Sequence, residues 1–189
     1  MNSDIVPILK SSYLTNKDAE KKLENKGYTL DKELSNKNQK VFTDNEGNPN
    51  ITFRGSKTVK DWLVSDVAIL TGLQSLDPRF KESVKLTKQV KKKYEDKPIN
   101  ITGHSLGGSI SDYVNRNVKL PKGSKVETYN KGVGVGDLFK SVKSNQTDIR
   151  TQNDIVSLGS ITQKHKTNNL KTIKKFQDPI TAHNINNLK

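Results

Sequence analysis

Apolar residues along the chain fall at helical spacing in several stretches, with short β-branched runs between them. Ala19 and Leu23 stand four apart among charges between Thr15 and Lys26. That spacing predicts a short amphipathic helix, capped by Thr15 or Asn16 and ended by Gly27. Val41-Phe42-Thr43 and Ile51-Thr52-Phe53 flank the turn-forming cluster Asn45-Glu46-Gly47-Asn48-Pro49, which predicts a hairpin. From Val59 to Leu76, Trp62, Leu63, Val67, Leu70 and Leu73 recur at roughly helical spacing, interrupted by Gly72 and closed by Pro78, so a helix or a helical flap is expected. Phe80, Val84, Val90 and Tyr94 mark one side of a further helix whose other faces carry lysines.

The run Ile99-Asn100-Ile101-Thr102 is too short for a helix and β-branched enough for a buried strand. It leads into Gly103-His104-Ser105-Leu106-Gly107-Gly108, after which Ile110, Tyr113, Val114 and Val118 return to helical spacing. Strand, tight turn and helix are therefore consecutive. Strands are also expected at Val126 to Tyr129 and Ile149 to Gln152, while Thr162 to Phe176 reads as either a ribbon or a loop. No internal repeat and no linker divides the 189 residues, which suit one domain.

Composition narrows the classes. Leu, Ile, Val and Phe make up about a quarter of the chain, enough for a thin folded core. The lack of cysteine excludes disulfide frameworks, thiolate metal sites and cysteine nucleophiles. A formal charge of +13 arises mostly from lysine, and its bland reading is a solvated surface shaped by an AT-rich coding sequence. Nucleic acid is disfavoured, because aromatics are few and do not interleave with the lysine runs. The segment Met1 to Leu14 lacks the apolar run of a secretory signal, and no stretch approaches the ~18 apolar residues of a membrane span. A cytoplasmic location, or a virion-associated one for a viral protein, is the expectation.

Gly103-His104-Ser105-Leu106-Gly107 satisfies GxSxG, in which glycines on either side let a strained turn hold a serine hydroxyl clear of a sheet. The helix that follows aims its N-terminal amides at the same point. Such a serine needs a base, and the chain offers His104, His165 and His183. His104 adjoins Ser105 and cannot readily turn back onto its neighbour, so a packing role suits it. His165 lies between two lysines, a solvated setting, whereas His183 sits at a moderately apolar boundary and comes last in the chain, as the order serine, acid, histidine requires. Asp154 directly follows a predicted strand and could orient the imidazole, while Asp148 stands at that strand's beginning. Taken alone, Asp154 reads first as a turn former after Asn153.

Taken in order, Ile51-Thr52-Phe53-Arg54-Gly55-Ser56, Asp61-Trp62-Leu63, Gly103-His104-Ser105-Leu106-Gly107-Gly108 and Asn153-Asp154-Ile155-Val156 resemble the class 3, or fungal-type, triacylglycerol lipases. The resemblance implies an α/β-hydrolase fold: a compact, mostly parallel central sheet flanked by helices, one minimal domain over residues 1–189. It implies Ser105 as nucleophile, Asp154 as acid and His183 as base. It implies an oxyanion hole from Ser56 and the backbone amide of Leu106, and a lid or substrate-binding segment carrying Trp62, Leu63 and Leu70. No cofactor and no metal are implied.

The chain departs from the pattern at Pro78-Arg79-Phe80, at Val135-Gly136-Asp137 and at Ser157, where the family has a proline. Only 28 residues separate Asp154 from His183. These changes touch the lining of a pocket more than the reacting groups. The expected activity is hydrolysis of lipid esters, of the triacylglycerol lipase or phospholipase type, through an acyl-enzyme. An anionic membrane or lipid interface is the expected partner surface, and the oligomeric state is left open. The rival expectation is a catalytically degenerate lipase-fold module that binds anionic membranes through its positive charge.

Overall fold

The computed structural model describes residues 5–56, 78–166, 168–174 and 177–187. Within them seven strands form one mixed sheet in sequence order. β1 (Thr29–Leu30), β2 (Gln39–Thr43) and β3 (Pro49–Phe53) pair antiparallel, with Val41 opposite Ile51 across the hairpin. From β3 onward every pairing is parallel: β4 (Asn100–His104), β5 (Lys125–Tyr129), β6 (Gln146–Thr151) and β7 (Leu170–Ile173). Parallel strands bring their carboxyl ends to one edge, where α/β sheets bind ligands.

Both faces of the sheet are covered, as a mainly parallel sheet requires. On one face, Val41, Ile51, Phe53, Ile101 and Val126 pack against α3 (Pro78–Lys93) and α4 (Leu106–Asn117). Ile110 and Val114 of α4, and Val118 just past its end, recur every four residues and are buried. On the other face α1 (Ile5–Ser11) sets Val6 and Leu9 against Tyr129 and Ile149, while α2 (Asn16–Glu24) packs Ala19 and Leu23 with Phe42 and Leu30. Thr15 caps α2 by accepting the Asp18 amide at 3.1 Å, and Gly27 adopts φ 78° beyond its end.

The fold thus has the expected α/β-hydrolase form with its mostly parallel sheet. Three elements differ from the sequence reading. α1 occupies Ile5–Ser11, where Pro7 falls in the first turn and so withholds no needed N–H. The stretch read as ribbon or loop contains β7, an exposed edge strand. Asp148 is not at the start of its strand but in the middle of β6, buried. The helix or flap expected from Val59 to Leu76 lies outside the described residues.

Candidate functional site

The turn between β4 and α4 is built by close approach. A Cβ on Gly103 would lie 2.1 Å from the Gly107 carbonyl oxygen, and one on Gly107 would lie 2.1 Å from the Phe53 carbonyl oxygen. Only glycine lets the helix start so near strands β3 and β4. Between them Ser105 takes φ 57° and ψ −124°, outside the regions a serine normally occupies. Its amide donates to the Tyr129 carbonyl at 2.9 Å, and its hydroxyl is lifted from the sheet edge at the first turn of α4.

Two other segments converge on it. Beyond β6, Asn153 adopts φ 68° and the chain turns so that Asp154 is fully buried. Asp154 Oδ1 accepts the Val156 amide at 3.2 Å, which orients the carboxylate. Near the end of the chain, α5 (Pro179–His183) carries His183, also fully buried. The His183 Nδ1 lies 2.9 Å from Asp154 Oδ1, and its Nε2 lies 2.9 Å from Ser105 Oγ. A carboxylate can only accept, so Nδ1 carries the proton and Nε2 is free to accept the serine hydroxyl. Ser105, His183 and Asp154 therefore form one hydrogen-bonded line, the arrangement in which a base can take the proton of an attacking hydroxyl.

Around this line lies a set of contacts that sequence reading missed. His104 is buried, with Nε2 2.8 Å from the His183 carbonyl oxygen and Nδ1 2.9 Å from the Tyr13 hydroxyl. The carbonyl requires Nε2–H, so Nδ1 accepts from Tyr13. Burial, and next the neighbouring His183 ring, hold the His104 pKa down at about 3, so it stays neutral. Tyr13 in turn accepts the Gly55 amide at 3.2 Å, and burial raises its pKa to about 12. Gly55 is pressed against the serine turn: a Cβ there would be 3.3 Å from Ser105 Cβ and 2.8 Å from the His104 carbonyl oxygen. Ser56 is the next residue, three past the end of β3, and Leu106 opens α4 directly after Ser105.

Asn130, at φ 46° just past β5, ties the remaining ends together. Its Oδ1 accepts the Thr151 amide at 2.7 Å, and its Nδ2 donates to the Ala182 carbonyl at 3.0 Å, one residue before His183. The signal in the sequence was slight: an asparagine at a strand end, a common turn residue. Tyr13 offered none, since it lies 91 residues from His104.

His165 does not approach Ser105's line. Far from being solvated, it bonds to Asp148 Oδ2 at 2.7 Å, and the Lys131 ammonium lies 2.5 Å from the same oxygen. Burial would raise the Asp148 pKa, yet Lys131 and the hydrogen bonds from His165 and Thr128 bring it down to about 2. Asp137 is held by a two-pronged Arg116 contact at 2.7 and 2.9 Å. Trp62, Leu63 and Leu70 lie outside the described residues. Among the described residues no cluster of His, Asp or Glu is arranged to hold a metal ion, and no helix is long and apolar enough to cross a membrane.

Residues 9–132 match the model of the Tle-like phospholipase domain, described as phospholipase-like. The chain belongs to that family. The matched stretch contains Ser105 and ends before Asp154 and His183. Among solved structures, an MDLA mutant from Penicillium cyclopium superposes with a TM-score of 0.56 at 17% identity, over 92% of this chain and 78% of that one. Lip2 lipase from Yarrowia lipolytica does so with 0.52 at 17% identity, over 80% and 72%. Rhizomucor miehei lipase in its propeptide complex gives 0.50 at 14% identity, over 82% of this chain but 61% of that one. At these identities the likeness shows a shared fold, and the class 3 lipase resemblance holds at that level. No curated protein sequence matches the chain.

Proposed function

We propose that the chain is a serine carboxylic-ester hydrolase acting on lipid esters, with one α/β-hydrolase domain over residues 1–189. The observation that carries the reading is the buried line from Ser105 Oγ to His183 Nε2 and from His183 Nδ1 to Asp154 Oδ1, 2.9 Å at each step. In this reading His183 takes the Ser105 proton as the hydroxyl attacks the ester carbonyl. Asp154 holds the tautomer and stabilises the imidazolium that forms. The backbone amides of Ser56 and Leu106 receive the oxyanion, each donor contributing ~3 kcal/mol to the transition state. His183 then protonates the leaving alcohol, and water, activated by the same imidazole, releases the acyl group. No cofactor enters these steps.

A phospholipid is the favoured substrate, because the family whose model matches is described as phospholipase-like. Triacylglycerol is the second choice. Trp62, Leu63 and Leu70 complete the reading as the segment that contacts the acyl chain. The unbroken hydrogen-bonded line favours this enzyme over a degenerate membrane-binding module, which has no need to keep a buried carboxylate against a buried imidazole. The test compares release of fatty acid from phosphatidylglycerol and from triolein by the wild-type protein and by Ser105→Ala. Release from the phospholipid that Ser105→Ala loses supports the reading; release from neither substrate, by a folded wild type that also fails on short-chain esters, refutes it.

A further inference from the structure

Large apolar side chains that stand exposed among the described residues lie on two neighbouring stretches. Val135 and Phe139 follow β5, and Phe139 is 73% exposed. Ile155, Leu158 and Ile161 follow β6. The two stretches are bound to each other: Thr162 Oγ1 donates to the Leu138 carbonyl at 2.6 Å, and Gln163 Nε2 to the Asp137 carbonyl at 3.1 Å. The Lys164 amide donates to the Lys140 carbonyl at 3.1 Å. They are one ledge, not two loose loops.

Charge on this ledge has one sign. Between residues 131 and 166 the three carboxylates, Asp137, Asp148 and Asp154, are all buried. The exposed charged residues there are Lys140, Lys143, Lys164 and Lys166. Lys140 also reaches Asp137 at 2.6 Å, which leaves its ammonium at the surface. Both stretches leave the carboxyl ends of parallel strands, the edge that carries Ser105, and the second begins at Asp154 itself.

We infer that this ledge docks on an anionic lipid bilayer. Exposed apolar side chains gathered in one place mark an interaction surface. An anionic bilayer offers apolar material beneath a layer of negative charge, and this ledge presents apolar side chains among lysines with no exposed carboxylate of its own, the exposed Asp178 lying beyond it. The inference rests on the lipid-ester reading only for why this edge should face lipid.

The test uses Ser105→Ala protein, so that vesicles stay intact, and phosphatidylcholine vesicles with and without phosphatidylglycerol. Binding is expected to the anionic vesicles and to weaken as salt rises. Phe139→Ser with Leu158→Ser should weaken it at least about tenfold. Lys164→Glu with Lys166→Glu should weaken it for the anionic vesicles alone. The Phe139 and Leu158 pair introduced into the protein that retains Ser105 should leave hydrolysis of a dispersed short-chain p-nitrophenyl ester unchanged, which also shows that the variant is folded. Unaltered vesicle binding by both double variants, or no binding at low salt, overturns the inference. So does a wild-type dimer that the Phe139 and Leu158 pair dissociates without changing vesicle binding, which would assign the ledge to a second copy of the chain. Loss of ester hydrolysis in the wild type would instead strike the enzyme reading and leave the vesicle result standing.

Discussion

His104 and His183 lie with ring centres 4.9 Å apart, and the Nε2–H of the first donates to the backbone carbonyl of the second at 2.8 Å. The hydrogen bond that His104 makes to His183 is thus to its main chain and not to its ring. Because the other His104 nitrogen accepts from Tyr13, and Tyr13 accepts from Gly55, one phenol hydroxyl connects the loop before Ser56 with the segment that carries the base. Tyr13→Phe leaves the Gly55 amide and His104 Nδ1 without this partner. The expected result is a kcat lowered by about tenfold with KM nearly unchanged, and a stability loss of about 1–3 kcal/mol. Steady-state kinetics and urea denaturation of the same preparation check both; an unchanged kcat would make Tyr13 a packing residue only.

His183→Ala is expected to abolish ester hydrolysis as completely as Ser105→Ala, since groups that act as a unit do not contribute additively. His165→Ala should keep its turnover per folded molecule and lose stability instead, because it removes a buried hydrogen bond to Asp148. Measuring activity against folded fraction separates the two. If His165→Ala were the inactive variant and His183→Ala the active one, the assignment of the base would fall.

The same contrast holds for the carboxylates. Asp154→Asn should lower kcat by several orders of magnitude by offering His183 the wrong tautomer. Asp148→Asn should leave kcat alone and destabilise by about 3–5 kcal/mol, because Lys131, 1% exposed, loses its close ion-pair partner. Thermal unfolding and kinetics of the two variants provide the check, and comparable losses of kcat in both would reassign the acid.

Some of this was legible in the sequence and some was not, for physical reasons. GxSxG encodes a local backbone path, so the β4 to α4 turn around Ser105 could be read directly from glycine spacing. The β2–β3 hairpin was equally local, set by Gly47 and Pro49 between two β-branched runs. The chain order and surroundings of Ser105, Asp154 and His183 were readable too, and the structure sets the three within hydrogen-bonding reach. The Tyr13–His104 contact was not, because hydrogen bonds between distant segments leave no periodicity. His165 misled for another reason: a histidine between two lysines reads as solvated, and only the fold shows it bonded to the buried Asp148, which also pairs with Lys131. Lys164 and Lys166 do point outward, but the histidine between them does not.

Acid should unfold the protein in two stages. His104 titrates from an ordinary value of 6.5 in the unfolded chain but about 3 when folded, so the unfolded chain binds the extra proton as pH falls between them. Stability is therefore lost through that window at up to about 1.4 kcal/mol per pH unit. Asp148 has its folded pKa lowered from 3.8 to about 2, so its contribution, about 2 kcal/mol, is present above pH 4 and disappears as pH falls through 2. Urea midpoints measured from pH 7 to pH 2 should decline from about pH 6.5 in the wild type. His104→Gln should flatten the first stage, and Asp148→Asn should shrink the second, to which Asp137, likewise held down at about 2 against burial by Arg116 and Lys140, also contributes. A wild-type midpoint constant between pH 7 and pH 4 would contradict the first stage.

The most direct test of the account is the chemistry of Ser105 itself. Wild-type protein and Ser105→Ala are each treated with a p-nitrophenyl alkyl phosphonate, and intact mass, the labelled peptide and residual hydrolysis of a short-chain p-nitrophenyl ester are followed together. The account predicts one phosphonate per wild-type molecule, located on Ser105, with hydrolysis falling in step with labelling, and a folded Ser105→Ala protein that neither labels nor hydrolyses. Ester hydrolysis retained by folded Ser105→Ala, or a label on another residue that accounts for the lost activity, would contradict it.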